Sequence, residues 1–232
     1  MKRVVFGVLF FVSFTPFVSL VSAQAKPPAP PRAPSAPRFD VSIGAGILGG
    51  SSLDGANADL RGRTGGPLAL FTTSSRIAGS VPLEARWTFP LGPRYALEFR
   101  AGWARPELRT KIDGDFEGAP PQTVAERFDL YTLDVGLLMV FRETRPRTMV
   151  PFISGGAGYA ATVHEGLTLL ENGVVYRGGG GFKYPLSVRR QGRVKGMGIR
   201  GDAGLVFMTG GAATDSGATR QGAASGSLYL TF

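Results

Sequence analysis

The sequence holds one histidine, His164, which stands beside Glu165 in the run TVHEGLTLLENG. A base of this kind could activate a hydroxyl for acyl transfer, provided a nucleophile lies within hydrogen-bond reach of the ring. Serine and threonine are plentiful, but none stands in a recognisable nucleophile setting. No catalytic residue is assigned, and the chain reads as a non-enzyme. One histidine without further ligands is also a poor zinc site. The sequence has no cysteine, which removes thiol nucleophiles, disulfides and thiolate-bound metals. No metal or other cofactor is expected. The four glycines Gly178, Gly179, Gly180 and Gly181 resemble a phosphate-binding loop only superficially: the Lys-Ser/Thr ending and the following helix are missing.

What remains is charge. Glu84, Arg86, Glu98, Arg100, Asp134, Lys183, Arg200 and Asp202 fall at alternate positions inside otherwise apolar runs. Their signs nearly balance, as a buried network requires if no charge is to be left unpaired. A second set, Arg142, Arg145 and Arg147 together with Arg189, Arg190 and Arg193, crowds two short connections. Such turns either hold anionic lipid headgroups or are simply solvated.

The elements that carry these charges follow a period of two. With 34 glycines and 43% hydrophobic residues in 232, the chain folds but is not helical. In FDVSIGAGIL, Phe39, Val41, Ile43, Ala45 and Ile47 share one face. SVPLEARWTF, YALEFRAGWA, TLDVGLLMVF, VVYRGGGGFKYPL, KGMGIRGDAGLVF and AASGSLYLTF alternate in the same way, with the charges and many glycines opposite the apolar side chains. MVPFISGGAGYA is too rich in glycine for its faces to be told apart. The result is about eight segments, each near the length of a tilted strand that spans a bilayer.

Connection lengths alternate as well: 49–79, 106–126, 161–172 and 209–222 are long, whereas 90–94, 142–148 and 187–193 are short. Short periplasmic turns and long extracellular loops give this parity in a transmembrane barrel. Aromatic residues gather towards segment ends, as interfacial girdles do. The fold expected is therefore all-β, an antiparallel up-and-down transmembrane β-barrel of about eight strands. Barrels of that size enclose an interior just wide enough for side chains to fill. Glycines on the inner face (Gly44, Gly46, Gly102, Gly136, Gly179, Gly181, Gly204) relieve crowding between coiled strands.

Residues 1–25 have a basic start (Lys2, Arg3), an apolar stretch over 4–20 and small-x-small sites ending at Ala23 and Ala25. That is the layout of a secretory signal cleaved after one of these alanines, with an uncleaved anchor as the alternative. Removing Lys2 and Arg3 lowers the net charge from +9 to +7. Residues 26–38, KPPAPPRAPSAPR, form a semi-rigid Pro-rich linker, either a plain spacer or a basic arm that touches an anionic surface. Residues 39–232 are the barrel.

The signal, the Pro-rich spacer, PFISGGAGYA, GGGGFKYPL and a last strand that ends on Phe232 together resemble the small outer-membrane β-barrel family of Gram-negative bacteria, the outer membrane protein A-like eight-stranded barrels. The resemblance implies an outer-membrane location, lipids as surroundings and a monomer. It also implies that the barrel-assembly machinery reads the terminal strand, through Leu228, Leu230 and Phe232. Nucleic acid is not a partner, since no single-faced basic stripe exists. The function expected is a non-enzymatic barrel with a filled lumen that supports the envelope or displays binding loops of open specificity. A narrow channel and a lipid-modifying enzyme are the alternatives within the membrane. A soluble barrel of the lipocalin kind is the alternative outside it.

Overall fold

The computed structural model describes residues 38–232 apart from 54, 62–66, 115–118, 143–144, 165–169, 190–191 and 211–217, and the backbone alone at 56–61 and 67–69. The signal segment, linker residues 26–37, Glu165 and Arg190 thus lie outside the described residues. Twelve strands are present: β1 (Asp40–Leu48), β2 (Ser51–Ser52), β3 (Ala56–Arg61), β4 (Pro67–Ile77), β5 (Leu83–Pro90), β6 (Tyr95–Ala104), β7 (Glu107–Asp113), β8 (Gln122–Val140), β9 (Val150–His164), β10 (Leu170–Val188), β11 (Gly196–Gly210) and β12 (Ala218–Thr231).

Eight of them close a ring, in the order β1-β5-β6-β8-β9-β10-β11-β12, with β12 pairing back onto β1. Every pairing in it is antiparallel, and each neighbour in the ring is the next ring strand along the chain. Closure leaves no edge in the ring, so the backbone hydrogen bonds are made between strands, as a strand needs inside a bilayer, with one irregularity at Pro185–Ser187 near the end of β10.

The seam is made by the two ends of the barrel sequence. Asp40 pairs with Thr231, the Phe232 amide donates to the Phe39 carbonyl at 2.9 Å, and the two rings stack with centroids 5.1 Å apart. Phe39 continues to Phe89 at 5.9 Å, and Phe89 meets Phe99 edge-on at 6.0 Å. These aromatics form a girdle at the end of the barrel that holds the short turns. Trp103, Tyr131, Tyr159 and Tyr176, all exposed, line the opposite rim. Along β6, Tyr95 and Trp103 are eight residues apart, about 27 Å of strand; a tilt of about 40° brings that to about 20 Å, within a bilayer's apolar band of about 25 Å.

The long connections differ from the expected loops. The chain between β1 and β5 forms β2, β3 and β4, and β7 rises between β6 and β8. These strands join the first part of β8 in a second sheet, ordered β2-β4-β7-β8 with β3 also on β4, beyond the rim. Strands β8 and β10 run for 19 residues each, about twice what a bilayer crossing requires. ELRTKID itself alternates, with Leu108, Thr110 and Ile112 opposite four charged residues, so its backbone pairs where water already satisfies the outer face.

Candidate functional site: the lumen and its outer mouth

Side-chain alternation sends one set of residues into the barrel and the other to the outside. On the outside Ile43 is 71% exposed, and Leu83, Leu133, Leu137, Leu205 and Leu228 are exposed with it. On the inside the charges meet. Arg86, 2% exposed, bonds Glu84, Asp202 at 2.6 Å and the Ser225 hydroxyl at 2.7 Å. Arg200 bonds Glu98 and grips Asp202 at 2.7 Å, with its guanidinium 4.5 Å from the centre of the Phe152 ring. Arg100 reaches Glu98 at 3.1 Å and Asp134 at 4.0 Å. The Thr88 hydroxyl also donates to Glu98.

All eight charged residues picked out by alternation thus point inward and pair. Two more join them. Arg177 bonds Asp134 at 3.0 Å and lies 3.8 Å from Glu84, and Asp40 takes Lys183 at 2.8 Å and the Thr231 hydroxyl at 2.7 Å. Both residues stand on the charged face of their segments, so the signal was in the alternation. Their partners are set by barrel closure, since Asp40 and Lys183 are 143 positions apart. With them, five acids face five bases among the described residues.

The expectation that the inner face is small or charged throughout needs correction at both ends. Above the charges, towards the long connections, Leu48, Ile77, Phe128, Leu130, Val175, Val206 and Met208 form an apolar cluster, joined by Leu108 from β7. Below them, Leu138, Phe152 and Ala96 form a second one. At the outer end the reason lies in the outer sheet: Ile77 of β4 and Leu108 of β7 pack onto this cluster, so side chains there meet protein and not water. Between the clusters a cavity of about 70 Å³ remains among Glu84, Arg86, Glu98, Arg100 and Arg177, room for a few water molecules.

The inner-face glycines bring neighbouring strands together. A Cβ on Gly181 would lie 2.0 Å from the Gly201 carbonyl oxygen, and one on Gly44 2.3 Å from that of Gly226. Gly178, facing outward in the same four-glycine run, would meet nothing within 4 Å. The run is a packing device.

This distribution of side chains has one physical setting. A closed ring whose outside is a continuous apolar belt between two aromatic girdles, and whose inside holds ionised groups, belongs in a lipid bilayer and not in water. The chain is an outer-membrane β-barrel. No protein-family model and no curated protein matches its sequence. Among solved structures it is similar to the outer membrane protein OprG from Pseudomonas aeruginosa (11% identity over 85% of this chain and 96% of that one, TM-score 0.49). It is also similar to Ail, the attachment invasion locus protein of Yersinia pestis (10%, 84% and 99%, TM-score 0.43), and to Neisserial surface protein A (14%, 84% and 97%, TM-score 0.42).

The remaining sequence candidates of this barrel sit at its ends. His164, at the outer mouth, stacks on Phe128 with ring centroids 5.8 Å apart. Its Nδ1 lies 2.8 Å from Glu126 and its Nε2 3.6 Å from Glu171, so both ring nitrogens face carboxylates. No described hydroxyl bonds either one. At the other end Arg142, Arg145, Arg147, Arg189 and Arg193 are exposed. The Arg147 amide donates to the Pro185 carbonyl at 2.8 Å, which ties one basic turn to β10. Leu228 and Leu230 face outward, and Phe232 closes the seam.

On the outer sheet Glu107 bonds Arg109, and that bond holds its carboxyl below the usual carboxylate range. A bond from Lys111 does the same for Asp113.

Proposed function

We propose that this outer-membrane barrel is non-enzymatic and non-conducting, and that it serves as a rigid envelope element that presents its outer sheet to the exterior. The observation that carries the reading is the filling of the lumen: a paired charge layer stacked between two apolar layers leaves about 70 Å³ of space in the middle. An ion path would need a continuous opening past both clusters, and at the outer one the apolar side chains and the buried Thr162, Thr219 and Gln221 leave only about 20 Å³. Catalysis would need a nucleophile beside His164, where Glu126 and Glu171 stand instead.

In the same reading residues 1–25 direct secretion and are removed, 26–38 tether the barrel in the periplasm, and 39–232 span the membrane. Leu228, Leu230 and Phe232 serve as the signal for the barrel-assembly machinery, the stacked pair of Phe232 and Phe39 being formed when the last strand meets the first. The exposed arginines of the two basic turns hold anionic headgroups of the inner leaflet. The apolar belt is fully occupied by lipid, so the barrel is a monomer.

The test is single-channel recording in planar bilayers. The purified barrel is expected to give no regular conductance steps. Steps that change in size when Arg86 or Arg200 is replaced would establish the narrow-channel alternative.

A further inference from the structure

Just beyond the outer girdle, on the lipid-facing side of the wall, is a recess of about 280 Å³ lined by Ala78, Gly79, Arg105, Glu107, Arg109 and Arg127. Three guanidiniums surround one carboxylate in it. Nε of Arg109 bonds Glu107, that of Arg127 lies 3.8 Å from Glu107, and that of Arg105 lies 3.1 Å from Asp129. The three side chains are 57%, 44% and 70% exposed for Arg105, Arg109 and Arg127, which leaves their guanidiniums open to a partner from outside.

A fourth arginine, Arg76, stands directly opposite Arg109 in the ladder between β4 and β7. Like charges placed opposite each other weaken a strand pair, so packing does not explain this arrangement. A planar guanidinium matches two oxygens of a phosphate at once, and several together match a phosphorylated group better than any neutral one.

The depth of the recess decides what kind of phosphate it meets. Trp103 and Tyr131 pair across β6 and β8, and Trp103 donates from Nε1 to Asp129, the partner of Arg105, at 3.1 Å. Arg105 follows Trp103 by two residues, about 7 Å of strand. Indole rings anchor at the headgroup level of a bilayer, so the guanidiniums lie where lipid phosphates lie.

We propose that this recess binds the phosphorylated headgroup of a lipid in the leaflet that faces the outer sheet, with Arg105, Arg109 and Arg127 supplying the donors. The site rests on the bilayer placement given above and is distinct from the basic turns at the opposite end of the barrel.

The two tryptophans allow a direct test, because Trp103 borders the recess and Trp87 lies at the other girdle. Single-tryptophan barrels, made with Trp87→Phe or Trp103→Phe, are reconstituted in phosphatidylcholine vesicles containing a minor fraction of brominated phosphatidic acid or brominated phosphatidylcholine, and quenching is compared. Trp103 is expected to be quenched as if phosphatidic acid were enriched around it roughly tenfold over neutral lipid. Any preference at Trp87, which lies at the end of the basic turns, should be unchanged when Arg105, Arg109 and Arg127 are replaced. Replacing Arg105, Arg109 and Arg127 together by Gln should abolish the enrichment in a barrel whose gel mobility still changes on boiling. Glu107→Gln, which removes the neutralising carboxylate and leaves the donors, should increase it.

Equal quenching of Trp103 by both brominated lipids would overturn the site. So would loss of the preference on adding inorganic phosphate, which would make the recess a free-phosphate site. If neither tryptophan is quenched by either lipid, the bilayer placement itself fails.

Discussion

Arg86→Met is the sharpest probe of the lumen. Arg86 is among the most buried large side chains and holds two carboxylates and a hydroxyl. Methionine fills the space but leaves four bases against five acids in the interior. Removing one partner of a buried ion pair costs about 3–5 kcal/mol, because the remaining charge stays buried. Here each orphaned carboxylate keeps a second cation: Glu84 has Arg177 at 3.8 Å, and Asp202 has Arg200 at 2.7 Å. The cost should therefore fall at the lower end, about 3 kcal/mol, or roughly a hundredfold in the folded-to-unfolded ratio. Adding Glu84→Gln restores charge balance and should recover about 1–2 kcal/mol of it. Guanidinium unfolding in detergent micelles, followed by tryptophan fluorescence, reads both values. A change of less than about 0.5 kcal/mol for Arg86→Met, the size of an ordinary surface substitution, would mean that water solvates these charges and that the lumen is open.

Gly181→Ala should sharply reduce the yield of folded barrel, because its Cβ has a backbone oxygen 2.0 Å away, whereas Gly178→Ala, three residues earlier, should fold as the parent does; the heat-modifiable fraction on a gel measures both. Phe232→Ala removes one ring contact and Phe39→Ala removes two, and they should lower stability in vitro by about 1 and about 2 kcal/mol. If Phe232 is also an assembly signal, its replacement alone should strongly reduce the level in the outer membrane of cells, and equal levels for the two variants would refute that role. His164→Ala should quicken hydrogen exchange at Thr162, Val163 and Glu171 while leaving the global unfolding midpoint nearly unchanged. Acyl-hydrolase activity in the purified protein that disappears with His164 would refute the non-enzymatic reading.

The barrel wall was legible in the sequence because a bilayer demands strict alternation: Ile43 and Leu228 must face lipid, so Gly44 and Ser227 beside them must face inward. The charge layer was legible for the same reason, down to the inward parity of Asp40 and Arg177. Which acid meets which base was not, since the register across a closed ring joins residues as distant as Asp40 and Lys183. The apolar ends of the lumen were hidden by a change of rule within single strands. Where Val206 and Met208 point inward and Leu205 points outward, both faces are apolar and the alternation fades. The outer sheet escaped because strands such as ELRTKID need no lipid face, and their short apolar rows resemble an ordinary charged loop. The arginine recess was invisible because it joins Gly79 and Arg105, from two separate connections, to Arg127 of β8.

The central claim is a closed barrel in the outer membrane, and heat modifiability of the fractionated protein tests it most directly. Cells expressing the full chain are separated into soluble, inner-membrane and outer-membrane fractions, and each is run with and without boiling. The protein should appear in the outer-membrane fraction and change mobility on boiling, as a ring held by continuous strand pairing resists detergent until heated. A soluble protein whose mobility is the same before and after boiling would contradict the account, because its apolar belt would then have to be a buried core.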